Sequence, residues 1–477
     1  MPTKSQKIQH LYNRAAFGLS FQQFEQKRKG KLKLRQELKE LLEEGIDEIP
    51  LEVIADNPFV EFKEDWENRK GSRSEVQKLF REKVRETRRQ VRGMSLRWMA
   101  LLTDQNTAVR EKLTLFWHDH FAVRTDNGYH AQLHNNVLRK YALGKYRDML
   151  LAVSKDAAML GFLNNQQNNK RKPNENFARE LLELYTLGRG YYTENDIKNA
   201  AKAFTGWKYD RFTCQFRFVD RQHDKSEKEF MGHSGDLNGE DIIDVVLANR
   251  QTALFLSAKL FQYYVSDQAD EVIIGKMADR LFKNDYHIGD LLHYIFSSDW
   301  FYEKRFVNNK IKSPQELIHG VRQHFGLEYG SPEALLYLQN SLGQRLFFPP
   351  NVNGWSVGRE WINSSSLVNR MRLVSQLTKN EELGIRIKDD LDGQTRGIRG
   401  SRKFLSTGRM DWPEFEKQLK DLPKEEMADR LADFLINQPL KSETKETILR
   451  GVRDQKAEKR IKWLAVTIAS LPEYQLT

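Results

Sequence analysis

Two histidines are separated by one aspartate in the aromatic segment Phe-Trp-His-Asp-His-Phe at 116–121. Imidazole nitrogens are common ligands for zinc and other divalent metals, so His118 and His120 are candidate metal ligands. On an ideal helix, residues two positions apart point about 200° away from each other, so both reach one ion only if the helix ends near Asp119. The alternative is a structural role, in which one imidazole faces the core and the other faces outward.

A second segment, Pro-Asn-Glu-Asn-Phe-Ala-Arg-Glu-Leu-Leu-Glu-Leu at 173–184, has the pattern of an amphipathic helix. Asn174 or Asn176 is expected to cap its N-terminus. An apolar stripe recurs at every third or fourth position, and Asn176, Glu180 and Glu183 form a polar stripe about 90° away from it. This spacing places an amide and two carboxylates at the margin of the core.

Glu180 and Glu183 therefore allow two hypotheses. A pair of partly desolvated carboxylates can perform acid/base chemistry or hold a divalent cation, because burial raises a carboxyl pKa and oxygen atoms bind hard cations. The same carboxylates can instead form structural ion pairs with Arg14, Arg179 or other basic residues.

Two further segments contain candidate site residues. His223 and Asp224, in Gln-His-Asp-Lys after Thr-Gly-Trp207, suggest a ligand pair or a general base, or else a turn in which Asp224 accepts backbone hydrogen bonds. The loop at 347–356, Phe-Phe-Pro-Pro-Asn-Val-Asn-Gly-Trp355-Ser, is rigid and aromatic. Such loops line sugar-binding or base-stacking sites, but they also fill cores.

Three functions from different classes follow. The preferred one is a binding or assembly protein, whose buried His, Glu, Arg and Asn side chains fix the packing of helices. The second is a metal-assisted or acid/base enzyme, hydrolytic for example, with an unidentified divalent metal as its cofactor. Its candidate residues are His118, His120, Glu180, Glu183, His223 and Asp224, with Arg14 and Arg179 as electrostatic partners and Asn174, Asn176, Trp207 and Trp355 as binding residues. The third is polyanion binding through the basic helix 69–92.

The elements that must position these side chains are mainly α-helices. Hydrophobic periodicity predicts helices at 6–45, 63–103, 107–121, 130–160, 174–187, 194–204, 239–267, 270–283, 286–301, 313–326, from 363, 412–438 and 442–471. Alternating Phe, Cys and Phe side chains predict a small β-hairpin insertion near 212–231. We expect a main helical domain at 1–380, a Gly- and Arg-rich linker or loop at 381–411, and a C-terminal helical unit at 412–477 that packs on the main domain.

Composition limits the function classes. The 477 residues are 39% hydrophobic and carry a formal charge of +11, which fits a globular protein with a basic surface, although nucleic-acid binding is not favoured by charge alone. Cys214 is the single cysteine, which excludes an internal disulfide. The sequence contains no P-loop, no dinucleotide glycine fingerprint, no His-Glu-x-x-His and no Gly-x-Ser-x-Gly. It lacks an apolar stretch of membrane-spanning length, and residues 1–20 lack the apolar region of a signal peptide, so a cytoplasmic location is expected.

Taken together and in this order, the segments resemble a bacterial family known as domain of unknown function 1800. Further segments of the resemblance are 10–18 (His-Leu-Tyr-Asn-Arg-Ala-Ala-Phe-Gly), 192–196, 203–207, 361–363 and 471–475. The resemblance covers nearly the whole chain and implies no assigned activity. It implies a protein partner similar to a sulfatase-like family that is often encoded nearby, and it allows an exported location. One departure is Asn164, where the family usually has an acidic residue, so a cation site there would be weakened.

Overall fold

The computed structural model describes residues 2–30, 34–44, 46–67, 73–329, 331–379, 408–452 and 455–477. Helices dominate this part of the chain, with two small antiparallel sheets inserted in the middle. The prediction of a mainly α protein with a small β insertion is confirmed. Among the described residues, no helix is both long and apolar enough to cross a lipid bilayer.

The first third of the chain is helical from near its start. The helices are α1 (Lys4–Ala15), α2 (Phe21–Lys29), α3 (Leu34–Glu44), α4 (Glu61–Glu67), α5 (Arg73–Leu101), α6 (Ala108–His120), α7 (Gly128–Tyr141), α8 (Tyr146–Ser154) and α9 (Ala157–Phe162). Thr3 and Ser20 begin α1 and α2 as capping boxes, each with a glutamine three residues later. Local side chains therefore divide the predicted helical region 6–45 into three separate helices.

The middle of the chain carries the β insertion between helices. Its helices are α10 (Asn176–Glu180), continued by a π-helix at Leu181–Thr186, then α11 (Glu194–Ala203), α12 (Gly239–Ala248), α13 (Arg250–Tyr264), α14 (Glu271–Lys283) and α15 (Ile288–Ser297). Strand β1 (Trp207–Tyr209) pairs with β2 (Phe216–Phe218), and β3 (Lys228–Phe230) pairs with β4 (His233–Gly235).

The β insertion differs in detail from the predicted hairpin. Phe212 and Cys214 precede the strand β2 and lie in a turn, where the Asp210 carboxylate accepts the amides of Phe212 and Thr213 at 2.9 Å each. Cys214 has a positive φ of 59°, which is incompatible with a regular strand. The alternating apolar pattern therefore comes partly from a turn, in which Phe212 packs against Phe80 of α5, and partly from the strand β2.

The last third returns to helices. They are α16 (Pro314–Phe325), α17 (Glu333–Leu342), α18 (Ser364–Lys379), α19 (Trp412–Leu419), α20 (Lys424–Ile436), α21 (Ser442–Arg450) and α22 (Ala457–Ala469). The predicted linker 381–411 lies largely outside the described residues, as do residues 69–72 of the predicted basic helix.

The two ends of the chain share one hydrophobic core. Phe21 of α2 stacks on Phe415 of α19 with ring centroids 4.4 Å apart, and Phe24 contacts Phe434 of α20 at 5.1 Å. Gln9 of α1 donates to the carbonyl oxygen of Phe434 at 2.9 Å. The described helices after residue 411 thus pack on the first two helices, while the domain boundaries remain predictions.

Candidate functional site

The last turn of α6 directs three consecutive side chains toward three different neighbours. The helix continues through His120, so His118 and His120 lie on different faces, as the helical geometry requires. Asp119 lies between them and faces the loop that contains Trp355. The three side chains therefore lie in three different environments.

His118 is a buried hydrogen-bond acceptor. Its Nε2 accepts the backbone N–H of Phe347 at 3.1 Å, and its ring contacts Trp98 at 5.0 Å between centroids. Burial, followed by the nearby His134 and Arg139, lowers the pKa of His118 to about 3. The imidazole is neutral and joins α6 to the start of the aromatic loop.

His120 is buried on the opposite side, and its hydrogen bonds fix its tautomer. The Tyr146 hydroxyl donates its single proton to the carbonyl oxygen of Tyr185 at 2.5 Å, so it accepts from His120 Nε2 at 2.9 Å. Burial, followed by the charge of Lys259, lowers the pKa of His120 well below its ordinary value. His120 is therefore neutral with its proton on Nε2, and its Nδ1 lone pair is free to accept.

Lys259 of α13 supplies the donor to that lone pair. Its Nζ lies 3.3 Å from His120 Nδ1 and 3.2 Å from the carbonyl oxygen of Leu184. Burial lowers the pKa of Lys259 to about 8, against the opposing effect of the Asp119 charge. Because an ammonium group has three donors, one N–H remains beyond these two contacts.

Asp119 is held by the aromatic loop. Its Oδ1 accepts the backbone N–H of Trp355 at 2.7 Å. Gly354, at a φ of +80°, lies so close that a Cβ there would collide with the Asp119 carboxylate. Burial raises the pKa of Asp119 to about 6, although the Trp355 hydrogen bond and the Lys259 charge oppose the rise. A carboxyl group with this pKa changes protonation state close to neutral pH.

The π-helix at Leu181–Thr186 places the carbonyl groups that Lys259 and Tyr146 use. The amides of Leu187 and Gly188 both return to the carbonyl of Leu182, at 2.9 and 3.1 Å. The carbonyl oxygens of Leu184 and Tyr185 accept from Lys259 and Tyr146. Single-turn π-helices occur frequently at functional sites, where they change the direction of such groups.

Asp119, His120 and Lys259 line one cleft of about 250 Å³. Its ionisable lining residues are Asp119, His120, Lys259, Lys310 and Glu316, and its aromatic lining residues are Phe116, Tyr263, Trp355 and Trp361. Burial alone would raise the pKa of Glu316, but Lys112 and Lys310 lower it to about 2. The two carboxyl groups of the cleft therefore differ: Glu316 is ionised at neutral pH, and Asp119 changes protonation state close to it.

The comparisons place the chain in a family without an assigned activity. The family model described as "Protein of unknown function (DUF1800)" matches residues 10–476. The chain belongs to this family. No curated protein and no solved structure matches the DUF1800 chain. The resemblance inferred from the sequence is therefore confirmed.

Glu183 and Glu194, near the π-helix of this DUF1800 chain, pair with basic neighbours, and the charge of Glu183 acts on Glu180. Glu183 accepts from Arg189 at 2.5 Å and from the Tyr192 hydroxyl at 3.0 Å. Arg179 binds Glu194 with both guanidinium nitrogens at 2.9 Å. Glu180 is half-buried, and burial followed by the Glu183 charge raises its pKa. Neither Glu180 nor Glu183 is among the lining residues of the cleft.

The remaining candidates make structural contacts. His223 is buried and its Nδ1 donates to the carbonyl oxygen of Thr205 at 2.9 Å, while Asp224 accepts the Ser226 amide at 2.8 Å in a turn. Asn174 Oδ1 accepts the amide of Asn176 at 3.0 Å at the start of α10. Trp207 packs against Phe204 with ring centroids 5.0 Å apart.

The structure therefore brings together His120 and Trp355 from the candidate list, and it places the other candidates outside the cleft. Among the described residues, no group of three His, Cys, Asp or Glu side chains is arranged to hold a metal ion. The metal site stays a prediction without a matching cluster in that part of the chain.

The sequence reasoning missed Asp119, Lys259, Lys310 and Glu316 as site residues. Lys259 had a signal: it is a lone basic residue in the apolar run Ala-Leu-Phe-Leu-Ser-Ala-Lys-Leu-Phe at 253–261. Burying a lysine in such a run is unfavourable unless its ammonium group is hydrogen-bonded or lies near opposite charge. Lys310 and Glu316 had no comparable signal, because both sit among polar residues.

Proposed function

We propose that this DUF1800 protein is an enzyme that transfers protons in the cleft, with Asp119 as the base and Lys259 as the acid. The observation that supports this most strongly is that the two groups line one cleft and have pKa values of about 6 and about 8. Between these values the carboxyl is ionised and the amine is protonated. General acid/base catalysis is most effective when the pKa values bracket the working pH in this way.

The neighbours of the pair fit positioning roles. Neutral His120 accepts from Lys259 and leaves it a proton to donate, and Tyr146 fixes the His120 tautomer. The Trp355 amide orients the Asp119 carboxylate. The aromatic walls can exclude water and pack against a planar or sugar-like substrate. The reaction class is proton transfer to and from a substrate, such as hydrolysis or elimination.

The first experiment needs no substrate, because it measures the Asp119 carboxyl directly. We expect the difference between carboxyl NMR titrations of the wild type and Asp119→Asn to show one group titrating near pH 6. A group that titrates at the ordinary aspartate value of about 4 would overturn the proposal.

The second experiment is a turnover screen with chromogenic esters, phosphate esters and glycosides. For any substrate that is turned over, kcat/KM, which reports the free enzyme, should show a bell-shaped pH profile with limbs near 6 and 8. Asp119→Asn should lower kcat about 100-fold or more. Asp285→Asn is the matched control, because Asp285 is exposed and pairs with Lys145 at 2.6 Å. Equal turnover by Asp119→Asn and wild type would contradict the assignment.

A binding or assembly protein is the second candidate. It is favoured by the buried ion pair of Arg139 with Glu111, which joins α7 to α6. Such closed networks fix helix packing and leave no open ligand position. A partner similar to a sulfatase-like family and a cytoplasmic or exported location remain predictions.

Polyanion binding through α5 has less support. Several of its basic residues are already paired, for example Lys83 with Glu86 at 3.0 Å and Arg92 with Glu333 at 2.8 Å. An anion would have to compete with these carboxylates.

A further inference from the structure

The inner end of the cleft carries a concentration of buried positive charge. Lys310 lines the cleft beside Glu316, and four more cations surround the same carboxylate: Arg14, Lys112, Lys312 and Arg370. All five basic residues are at most 8% exposed. Among the described residues, the side-chain carboxylates that act on the cluster are Glu316 and the partly exposed Asp267. The cluster therefore has an excess of positive charge inside the protein.

We infer that this inner end binds an oxyanion, the carboxylate, phosphate or sulfate group of the substrate, through the ammonium groups of Lys310 and Lys259. The inference rests on the proposed function, because it places the substrate in the same cleft. It adds the chemical class of the substrate, which the acid/base pair alone does not define.

Lys310 has donor capacity for such a ligand. Its ammonium group donates to the carbonyl oxygen of Gln262 and lies 3.7 Å from the Asp267 carboxylate, a distance too long for a hydrogen bond. An ammonium has three donors, so N–H groups remain beyond the Gln262 contact. Lys259 lines the same cleft, and its ammonium group has one N–H beyond its contacts with His120 and Leu184.

The other cations of the cluster are bonded mainly to neutral groups. Lys112 donates to the carbonyl oxygens of Asn13 and Ala16 at 2.7 and 2.6 Å and reaches Glu316 at 3.0 Å. Lys312 donates to the carbonyl oxygen of Tyr474 at 2.8 Å. Carbonyl groups satisfy hydrogen bonds but do not neutralise charge.

The two guanidinium groups are incompletely satisfied. One terminal nitrogen of Arg14 lies within hydrogen-bond distance of the carbonyl oxygen of Phe306, the main-chain oxygen of Thr477 and the Asn309 side chain. Its Nε and second terminal nitrogen, and one terminal nitrogen of Arg370, are buried without a hydrogen-bond partner in the described part of the chain. Buried polar groups are normally paired, so these nitrogens mark a region that is short of acceptors.

An anion would offset this excess charge. Taking several cations out of water is unfavourable unless opposite charge accompanies them. Burial and the neighbouring Arg14 lower the pKa of Lys310 to about 8. The Glu316 and Asp267 charges oppose that effect, and Lys112 adds to it. A bound oxyanion would favour the charged forms of Lys310 and Lys259 and bind most tightly when both are protonated.

The test is isothermal titration calorimetry of the full chain with sodium sulfate at constant ionic strength, with sodium chloride as the reference salt. Sulfate is chosen because its charge stays constant over the pH range used, and acetate tests whether a single carboxylate is enough. We expect saturable sulfate binding by the wild type and affinity weaker by about tenfold in Lys310→Gln. Lys145→Gln, at an exposed pair with Asp285, should bind like the wild type.

A second measurement does not depend on the folding of a variant. Between about pH 6.5 and about pH 9.5 the affinity of wild-type protein for sulfate should fall about tenfold or more, because Lys310, Lys259 and the nearby Lys312 lose their protons. Equal heats for sulfate and chloride, equal affinity at both pH values, or wild-type affinity in a folded Lys310→Gln would each overturn the inference.

Asp119→Asn separates this inference from the proposed function. The substitution removes the base and a negative charge from the cleft, so it should abolish turnover while sulfate binds at least as tightly as to wild type. Sulfate binding with an Asp119 pKa of about 4 would leave an anion site without acid/base chemistry. A raised Asp119 pKa without sulfate binding would support the proposed function and overturn the oxyanion site.

Discussion

The Asp119 carboxylate accepts the Trp355 backbone amide at 2.7 Å, across a sequence separation of 236 residues. This contact joins the last turn of α6 to the aromatic loop, and it holds a desolvated carboxyl group in the lining of the cleft. Asp119 and Trp355 belong to two aromatic segments of the sequence, 116–121 and 347–356. Their contact depends on how the helices between these segments pack.

Replacing Asp119 by asparagine should stabilise the protein at neutral pH. The folded-state pKa of about 6 lies above the ordinary value of 3.8, so the folded state binds more protons in that window and stability falls as pH rises through it. Asparagine keeps the acceptor for Trp355 and has no charge to bury. In urea unfolding, Asp119→Asn should gain about 1–2 kcal/mol near pH 7.5 and little near pH 4. Asp285→Asn should change the free energy of unfolding little at either pH. A loss of stability in Asp119→Asn at the higher pH would contradict the prediction.

Lys312 should make stability rise with pH above neutrality. Burial lowers its folded-state pKa from 10.5 to about 7, so the unfolded state binds more protons between these values and the free energy of unfolding increases with pH. Between about pH 7 and about pH 9.5, Lys312→Met should reduce that increase by about 2–3 kcal/mol. Loss of the hydrogen bond to the Tyr474 carbonyl oxygen should lower the free energy of unfolding by a similar amount at both pH values. Lys283→Met, at an exposed position of α14, should leave the increase unchanged.

Gly354→Ala should be more disruptive than Gly343→Ala, although both glycines have positive φ, +80° and +92°. The Cβ at position 343 would meet nothing within 4 Å, whereas at position 354 it would collide with Asp119. We expect a loss of about 1 kcal/mol for Gly343→Ala and about 3 kcal/mol or more for Gly354→Ala in urea unfolding. Equal losses would show that the close approach to Asp119 is unimportant.

Tyr146→Phe tests the hydrogen-bond chain behind Lys259. Without the hydroxyl, the Nε2 proton of His120 loses its acceptor, so the proton should move to Nδ1 and turn a donor toward Lys259. The pKa of Lys259 should then fall further below about 8, which nitrogen NMR of the lysine side chain can measure.

Tyr302→Phe is the matched control for that experiment, because Tyr302 is also buried and donates to one carbonyl, that of Phe296, at 2.7 Å. Both variants should lose about 1–3 kcal/mol of stability. The pKa of Lys259 should move in Tyr146→Phe alone. An unchanged value there would remove His120 and Tyr146 from the positioning of Lys259.

The sequence predicted the fold class and most helices, because these depend on local periodicity and capping. Helical geometry also predicted that His118 and His120 diverge unless the helix stops. Helix α17 was missed, because its residues Glu333–Leu342 follow a Gly-Ser-Pro turn and present no clear stripe. The strand predicted at Phe212 is a turn, because Asp210 accepts its amides.

The candidate site was predicted less well than the fold. The sequence pointed to the segments around His120 and Trp355, but Lys259, Lys310 and Glu316 reach the cleft through tertiary contacts. A single sequence does not encode such convergence in any local pattern. Glu183 and Arg179 were predicted as site residues from the sequence, but they form ion pairs with Arg189 and Glu194 outside the cleft.

The π-helix at Leu181–Thr186 makes one part of the site sensitive to residue count more than to residue type. A π-helical turn accommodates one residue more than the corresponding α-helical turn. Deleting a single residue there would restore α-helical register and rotate the flanking backbone by about 100°. The carbonyl oxygens of Leu184 and Tyr185 would then turn away from Lys259 and Tyr146, even though every side chain around the cleft had been retained.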